Sequence, residues 1–246
     1  MKLRIKFSKH GSMKFIGHLD IMRYFQKAIR RSEIDVAYSE GFSPHQKMSF
    51  AAPLGVGLYS NGEYFDVEVN SLTSTDDILK RLNDTMNDEI EVLSVVLLPD
   101  GAKKAMSLVG GADYTAVVKD DYNELVSSEN ATKYTKINPL TLCENIEKFY
   151  ELSEIVVLKK TKKSEREIDI KPLIHDFGFT NEDGNPVIYM RVSQGSENNL
   201  KPELVIEQLC KFSGVEYNEY AFQYTREDTL WFDETKNGFR SLDDVE

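Results

Sequence analysis

The stretch Lys2–Ser32, KLRIKFSKHGSMKFIGHLDIMRYFQKAIRRS, decides how the chain is read. Lys2 to Ser8 alternates Leu3, Ile5 and Phe7 with charged or polar residues, the period of a half-buried strand. The chain is then expected to turn at Lys9 to Ser12. From His18 to Ser32 the spacing changes: Leu19, Met22, Phe25 and Ile29 recur at helical intervals, while Arg23, Lys27, Arg30 and Arg31 fall on the other side. A strand followed by an amphipathic helix with a basic back is therefore predicted.

Working outward, Ile34 to Tyr38, Lys47 to Ala51 and Glu63 to Val69 read as strands. Ser74 is an N-cap for a helix carrying Asp76 and Asp77 in its first turn, where the helix dipole favours acids. Ile90 to Leu98 closes the unit before Pro99. The order strand, helix, two strands, helix, strand is ferredoxin-like.

The second half repeats that order. Strands are predicted at 112–119, 155–159, 167–174, 187–192 and 220–224, with helices at 140–152 and 202–212. Pro202 stands near the first helical position, where its missing N–H costs nothing. The fold predicted is α+β, with tandem ferredoxin-like (βαββαβ) domains of antiparallel sheet at 1–100 and 112–225. Residues 226–246 carry seven acids and read as a loosely held acidic tail, with Leu230, Trp231 and Phe232 either anchoring it to its own domain or docking on a partner.

With 246 residues, 41% of them hydrophobic and 29% charged, the composition is that of globular domains with cores of their own. No run of eighteen apolar residues occurs and the first residues lack a signal-peptide pattern, so no membrane association and a cytoplasmic location are expected. Cys143 and Cys210 have no metal or redox spacing, and His10 and His175 have no ligand partner nearby, so no metal is predicted.

The net charge of −11 argues against indiscriminate nucleic-acid binding. Residues 1–50 nevertheless hold ten basic residues against four acidic ones, which leaves −17 on the rest of the chain. A basic end on an acidic protein fits one anion-binding face; a solvated helix face explains the same numbers. Lys159, Lys160, Lys162, Lys163 and Arg166 form a second basic cluster, read as a hairpin tip or an RNA contact.

The loop Glu40-Gly41-Phe42-Ser43-Pro44-His45-Gln46-Lys47 is too polar for a core element, and Gly41 and Pro44 impose a turn. It sets Ser43, His45 and Lys47 beside a strand. The glycines of Ala51 to Gly57 permit close backbone approach. His18 sits at a helix start, where free N–H groups suit an anion. If His18 and His45 approach each other, they could work as base and acid on a phosphodiester, because imidazole titrates near neutrality. A capping or hydrogen-bonding role for either is the simpler reading.

Phe7, His18-Leu19-Asp20, Gly41 to Gly57, Gly62-Glu63-Tyr64-Phe65-Asp66-Val67-Glu68 and the later block Arg166 to Ile174 together resemble the bacterial radical SAM-linked protein family. That family is of unknown function, and the resemblance implies a radical SAM protein as partner. The iron-sulfur cluster, S-adenosylmethionine and any cobalamin would belong to that partner, since two cysteines are too few for a cluster here.

The leading expectation is thus a binding protein more than an enzyme in its own right, presenting tRNA or rRNA for radical SAM modification. Arg23, Lys27, Arg30 and Arg31 would attract RNA, His18, Ser43, His45 and Lys47 would give specificity, and Phe15 and Phe42 would stack on bases. The alternatives are a metal-independent endoribonuclease or RNA transferase using His18 and His45, and a scaffold that docks on the radical SAM partner.

Overall fold

The computed structural model describes residues 1–127, 134–160, 165–182, 184–196 and 198–244. In chain order the elements begin with β1 (Lys2–Lys9), a 3-10 turn (Gly11–Phe15), α1 (His18–Arg31), β2 (Met48–Phe50), β3 (Tyr59–Glu68), α2 (Thr75–Asn83) and β4 (Ile90–Leu97). There follow α3 (Ala105–Leu108), β5 (Val109–Val118), α4 (Asp120–Val126), α5 (Pro139–Cys143), α6 (Ile146–Tyr150), β6 (Val156–Lys160) and β7 (Glu165–Asp169). The remainder comprises a 3-10 turn (Lys171–Leu173), β8 (Ile174–Glu182), β9 (Asn185–Ser193), α7 (Pro202–Phe212), β10 (Phe222–Asp233) and β11 (Gly238–Ser241). The fold is mixed α+β with mostly antiparallel sheet. Two compact units divide the chain, 1–111 with 226–246 and 112–225.

In the first unit β1 lies between β3 and β4, antiparallel to both, and β2 pairs with β3. Leu3, Ile5 and Phe7 point into a core completed by Ile21, Phe25 and Ile29 of α1 and by Ile78 and Leu82 of α2. Phe7 and Phe25 pack at a tilt with centroids 4.5 Å apart and Phe25 and Phe65 likewise at 4.8 Å, so α1 is held by aromatic packing as well as by apolar area. The cap of α2 is as expected: Asp77 N donates to Ser74 Oγ at 3.0 Å.

The 34–38 segment is no strand. It makes two isolated bridges, Val36 with Val69 and Tyr38 with Gln46.

Residues 226–244, expected as a loose tail, instead belong to the first unit. β10 runs through to Asp233 beside β3, and β11 pairs with it. Buried Leu230 and Leu242 explain part of this. The rest is polar: Arg4 Nη1 donates to Leu242 O at 2.9 Å, and Tyr64 Oη donates to Asp228 Oδ1 at 2.6 Å. Ser241 Oγ lies 2.6 Å from both Asp228 Oδ2 and Asp243 Oδ1, so that its one proton serves the pair of carboxylates. Glu227, Asp228 and Asp243, three of the acids that suggested a tail, receive donors from distant sequence in Asn61, Tyr64 and Ser94.

The second unit has strand order β10-β5-β9-β8, with β6 and β7 as a separate two-stranded sheet. The single helix expected over 140–152 is two short ones, α5 and α6, with Asn145 between them, its Nδ2 donating to Thr141 O at 2.8 Å. The strand expected over 167–174 ends at Asp169. The 3-10 turn of Pro172 separates it from β8, which the sequence reading missed.

Candidate functional site

Two cavities of the first unit take up the residues singled out above. The first is built by the 40–47 loop. Gly41 has φ +109°, a backbone that favours glycine, and lets the tip reverse. His45 holds the base of the loop: Ser39 N donates to His45 O at 2.8 Å, His45 N donates to Ser39 Oγ at 3.1 Å, and Ser39 Oγ hydrogen-bonds His45 Nδ1 at 2.8 Å. Gln46 is buried, and its Nε2 donates to Gln26 O of α1 at 3.2 Å. The tip projects, so that Phe42 has a wholly exposed ring, with Ser43 and Pro44 also exposed.

His45 and Lys47 line a cavity of about 290 Å³ together with Lys2, Lys104, Asp66 and Glu68. The charges there do not cancel. Asp66 is taken by Arg4 at 2.8 Å and by Ala105 N at 2.8 Å. Lys47 pairs with Glu68 at 3.5 Å, but both are exposed and the pair is weak. Among the described residues, the side chains of Lys2 and Lys104 have no hydrogen bond or ion pair, which leaves a cationic surplus facing the cavity.

On α1 the basic face is exposed. Arg23 pairs with Asp20 at 3.1 Å and Arg31 Nη2 donates to Thr85 O at 2.9 Å, whereas Lys27 and Arg30 have no side-chain partner among the described residues. Phe15 and Leu19, near the start of the same helix, are also exposed. Of the second basic cluster, Lys162 and Lys163 lie outside the described residues.

His18 is elsewhere. As the first residue of α1 it packs edge-on against Phe50, with centroids 5.4 Å apart and planes at 88°. It lines a second, smaller cavity of about 20 Å³ with Lys9, Glu63, Phe7, Phe50 and Leu54. The two cavities have no lining residue in common, so His18 and His45 are not brought to one site.

The small cavity contains residues the sequence reading passed over. Lys9, expected in a turn, is the last residue of β1 and only 2% exposed. Period two carried one step past Leu3, Ile5 and Phe7 points Lys9 to the same face, which is the signal that was available. Burial removes water from its ammonium and pushes its pKa below the ordinary lysine value. Glu63 opposes that shift and Arg226 adds to it. Glu63 and Arg226 form a buried ion pair at 2.8 Å, and Ser60 Oγ donates to the same carboxylate oxygen, Glu63 Oε1, at 2.9 Å.

Elsewhere, burial lifts the Cys143 thiol to about 11 and the Cys210 thiol to about 12, as for inert buried cysteines. Among the described residues, no group of three or more His, Cys, Asp or Glu side chains is placed to hold a metal ion, and no helix is long and apolar enough to cross a membrane.

A family model described as an uncharacterized protein conserved in bacteria (DUF2344) matches residues 2–202. The match covers both cavities' walls up to Lys104 and ends before the strands that complete the first unit. No curated protein matches the chain.

Proposed function

The chain belongs to this uncharacterized bacterial family, and from that premise we propose that it is an RNA-binding partner that presents tRNA or rRNA to a radical SAM RNA-modifying enzyme. The observation that carries the RNA half of the proposal is the cationic cavity of Lys2, His45, Lys47 and Lys104 beside the exposed Phe42 ring. Ammonium groups without partners suit phosphate oxygens, and an exposed aromatic ring at a loop tip suits an unstacked base. Lys27 and Arg30 extend the attraction along α1. The iron-sulfur cluster, S-adenosylmethionine and any cobalamin lie, in this reading, in the partner.

The strand orders β4-β1-β3-β2 and β10-β5-β9-β8 support reading both units as ferredoxin-like, with β6 and β7 as an insertion in the second. Sheets of that kind occur in many proteins of unrelated function, so the fold adds nothing to the substrate assignment. The endoribonuclease reading is disfavoured by the separate cavities of His18 and His45. The scaffold reading draws on exposed Phe15, Leu19, Phe42 and Val56.

The test is the salt dependence of RNA binding by wild type and by Lys47→Ala/Lys104→Ala. Loss of two phosphate contacts on single-stranded RNA lowers the magnitude of the log K against log salt slope by about 1.4. An unchanged slope refutes the RNA assignment. Retention of the radical SAM protein after nuclease treatment, lost on Phe42→Ala, would instead support the scaffold.

A further inference from the structure

The small cavity is a second site, independent of the RNA reading. Its polar groups are Lys9, Glu63 and His18, and its other walls are Phe7, Ile16, Ile21, Phe50 and Leu54. Lys9 Nζ makes no hydrogen bond and no ion pair among the described residues, although the residue is 2% exposed. A lysine in these surroundings is costly as an ammonium ion, because burial strips it of part of its water and no counter-charge is bonded to it. Glu63 cannot fully supply that charge, because its Oε1 already receives Arg226 Nη1 and Ser60 Oγ. The Arg226 guanidinium beside it is a second cation in the same low-dielectric surroundings.

Desolvation in an apolar pocket and a neighbouring cation are the two ways in which a lysine is kept as a free, nucleophilic amine. A carboxylate in the wall also decides the class of ligand. Glu63 repels an anion, so the group that fits beside Lys9 is uncharged, small and an acceptor, as a carbonyl oxygen is. At about 20 Å³ the cavity takes a group of about the size of one water molecule.

We infer that Lys9 is a nucleophilic amine that condenses with a one-carbon aldehyde in this cavity to form an imine, with Glu63 carrying the protons. Lys9 Nζ attacks the carbonyl carbon, forming the C–N bond as the C=O π pair moves to oxygen. Glu63 takes one N–H proton and delivers it to that oxygen, giving a carbinolamine. The nitrogen lone pair then forms C=N as the C–O bond breaks, and Glu63 passes the second N–H proton to the departing hydroxyl. One amine and one carbonyl become one imine and one water, and Glu63 ends as the carboxylate it began as. Phe50, Leu54 and His18 form the wall around the imine carbon.

The test is reductive methylation of the full chain with formaldehyde and cyanoborohydride at pH 7, read by peptide mass spectrometry. The exposed lysines Lys27 and Lys201 are the internal reference. Lys9 is expected to be methylated faster than either reference lysine, because its buried amine is held more readily in the unprotonated form. Glu63→Gln is expected to slow Lys9 and leave Lys27 unchanged, with Trp231 fluorescence checking that the first unit stays folded. A Lys9 rate at or below that of Lys27 and Lys201 in the wild-type protein overturns the inference.

Discussion

Replacing Arg4 by Met tests whether the last strands are structural parts of the first unit. The Arg4 side chain is 1% exposed and its guanidinium makes four hydrogen bonds. Nε meets Asp66 Oδ1 at 2.8 Å and Nη2 meets Oδ2 at 3.2 Å. Nη1 donates to Leu242 O at 2.9 Å and Nη2 to Lys103 O at 3.0 Å. Methionine keeps the straight chain and removes all four hydrogen bonds. Asp66, with a side chain 4% exposed, keeps only the Ala105 N–H at 2.8 Å.

Breaking a buried pair from one side leaves an uncompensated charge and costs about 3–5 kcal/mol. Domains are stable by about 5–15 kcal/mol, so this is a large share. The double variant Arg4→Met/Asp66→Leu removes the stranded charge as well. It is expected to recover about 2 kcal/mol or more of the summed single losses, the remainder being the unpaired backbone groups at about 1–3 kcal/mol. Urea unfolding followed by fluorescence reads the first unit selectively, because Trp231 is the chain's one tryptophan and its Nε1 donates to Ser241 O at 3.1 Å. A loss below about 1 kcal/mol for Arg4→Met, or strict additivity in the double variant, would refute the reasoning.

Two further predictions concern one position in each unit. A Cβ on Gly62 would lie 2.4 Å from Asp228 Cα and 2.8 Å from Glu227 O, both backbone atoms of β10. Gly62→Ala is expected to cost about 1–3 kcal/mol and to lower the fluorescence-detected melting temperature by about 4 °C or more; an unshifted melt would contradict the close approach. In the second unit, burial first and the Arg191 charge second hold the His175 pKa below 6.5, while Ser193 Oγ lies 2.8 Å from its Nε2. The unfolded chain then binds the proton more readily, so stability is complete above the unfolded value and falls as pH drops through about 6.5 towards the folded one. The protection factors of β9 amides, exchange rates corrected for the intrinsic pH dependence, are expected to fall between pH 7 and 5, and His175→Gln to flatten that change. An identical pH dependence in the variant would remove His175 as its source.

How much was legible in the sequence followed from how local the determinants were. The α1 helix from His18, the Ser74 cap and the Pro202–Phe212 helix rest on periodicity and capping within a dozen residues, and all three are present as read. What misled was chemistry satisfied from afar. Glu227 and Asp228 suggested a solvated tail because their partners stand elsewhere: Asn61 Nδ2 donates to Glu227 at 2.7 Å, and Tyr64 reaches Asp228.

The candidate site divides the same way. The 40–47 loop announced itself by glycine, proline and polar residues, and the structure sets His45 and Lys47 on one cavity. Lys9 was hidden because a lysine at a strand end reads as exposed. Only the partner strand β3, with its buried Ser60 and Glu63, shows that the face is covered.

The hydrogen bond from Arg4 to Leu242 spans 238 residues of chain, and it has a bearing on synthesis. At about 5–20 residues per second, a ribosome that has made residues 1–111 takes about 6–23 s more to reach Arg226. Through that interval β3 has an open edge along Ser60 to Gly62, and Arg4, Glu63 and Tyr64 lack the groups that later occupy them. The first unit begun is therefore the last one finished, and the nascent protein has a period in which a chaperone, or a binding partner engaged early, meets an edge that the mature protein conceals.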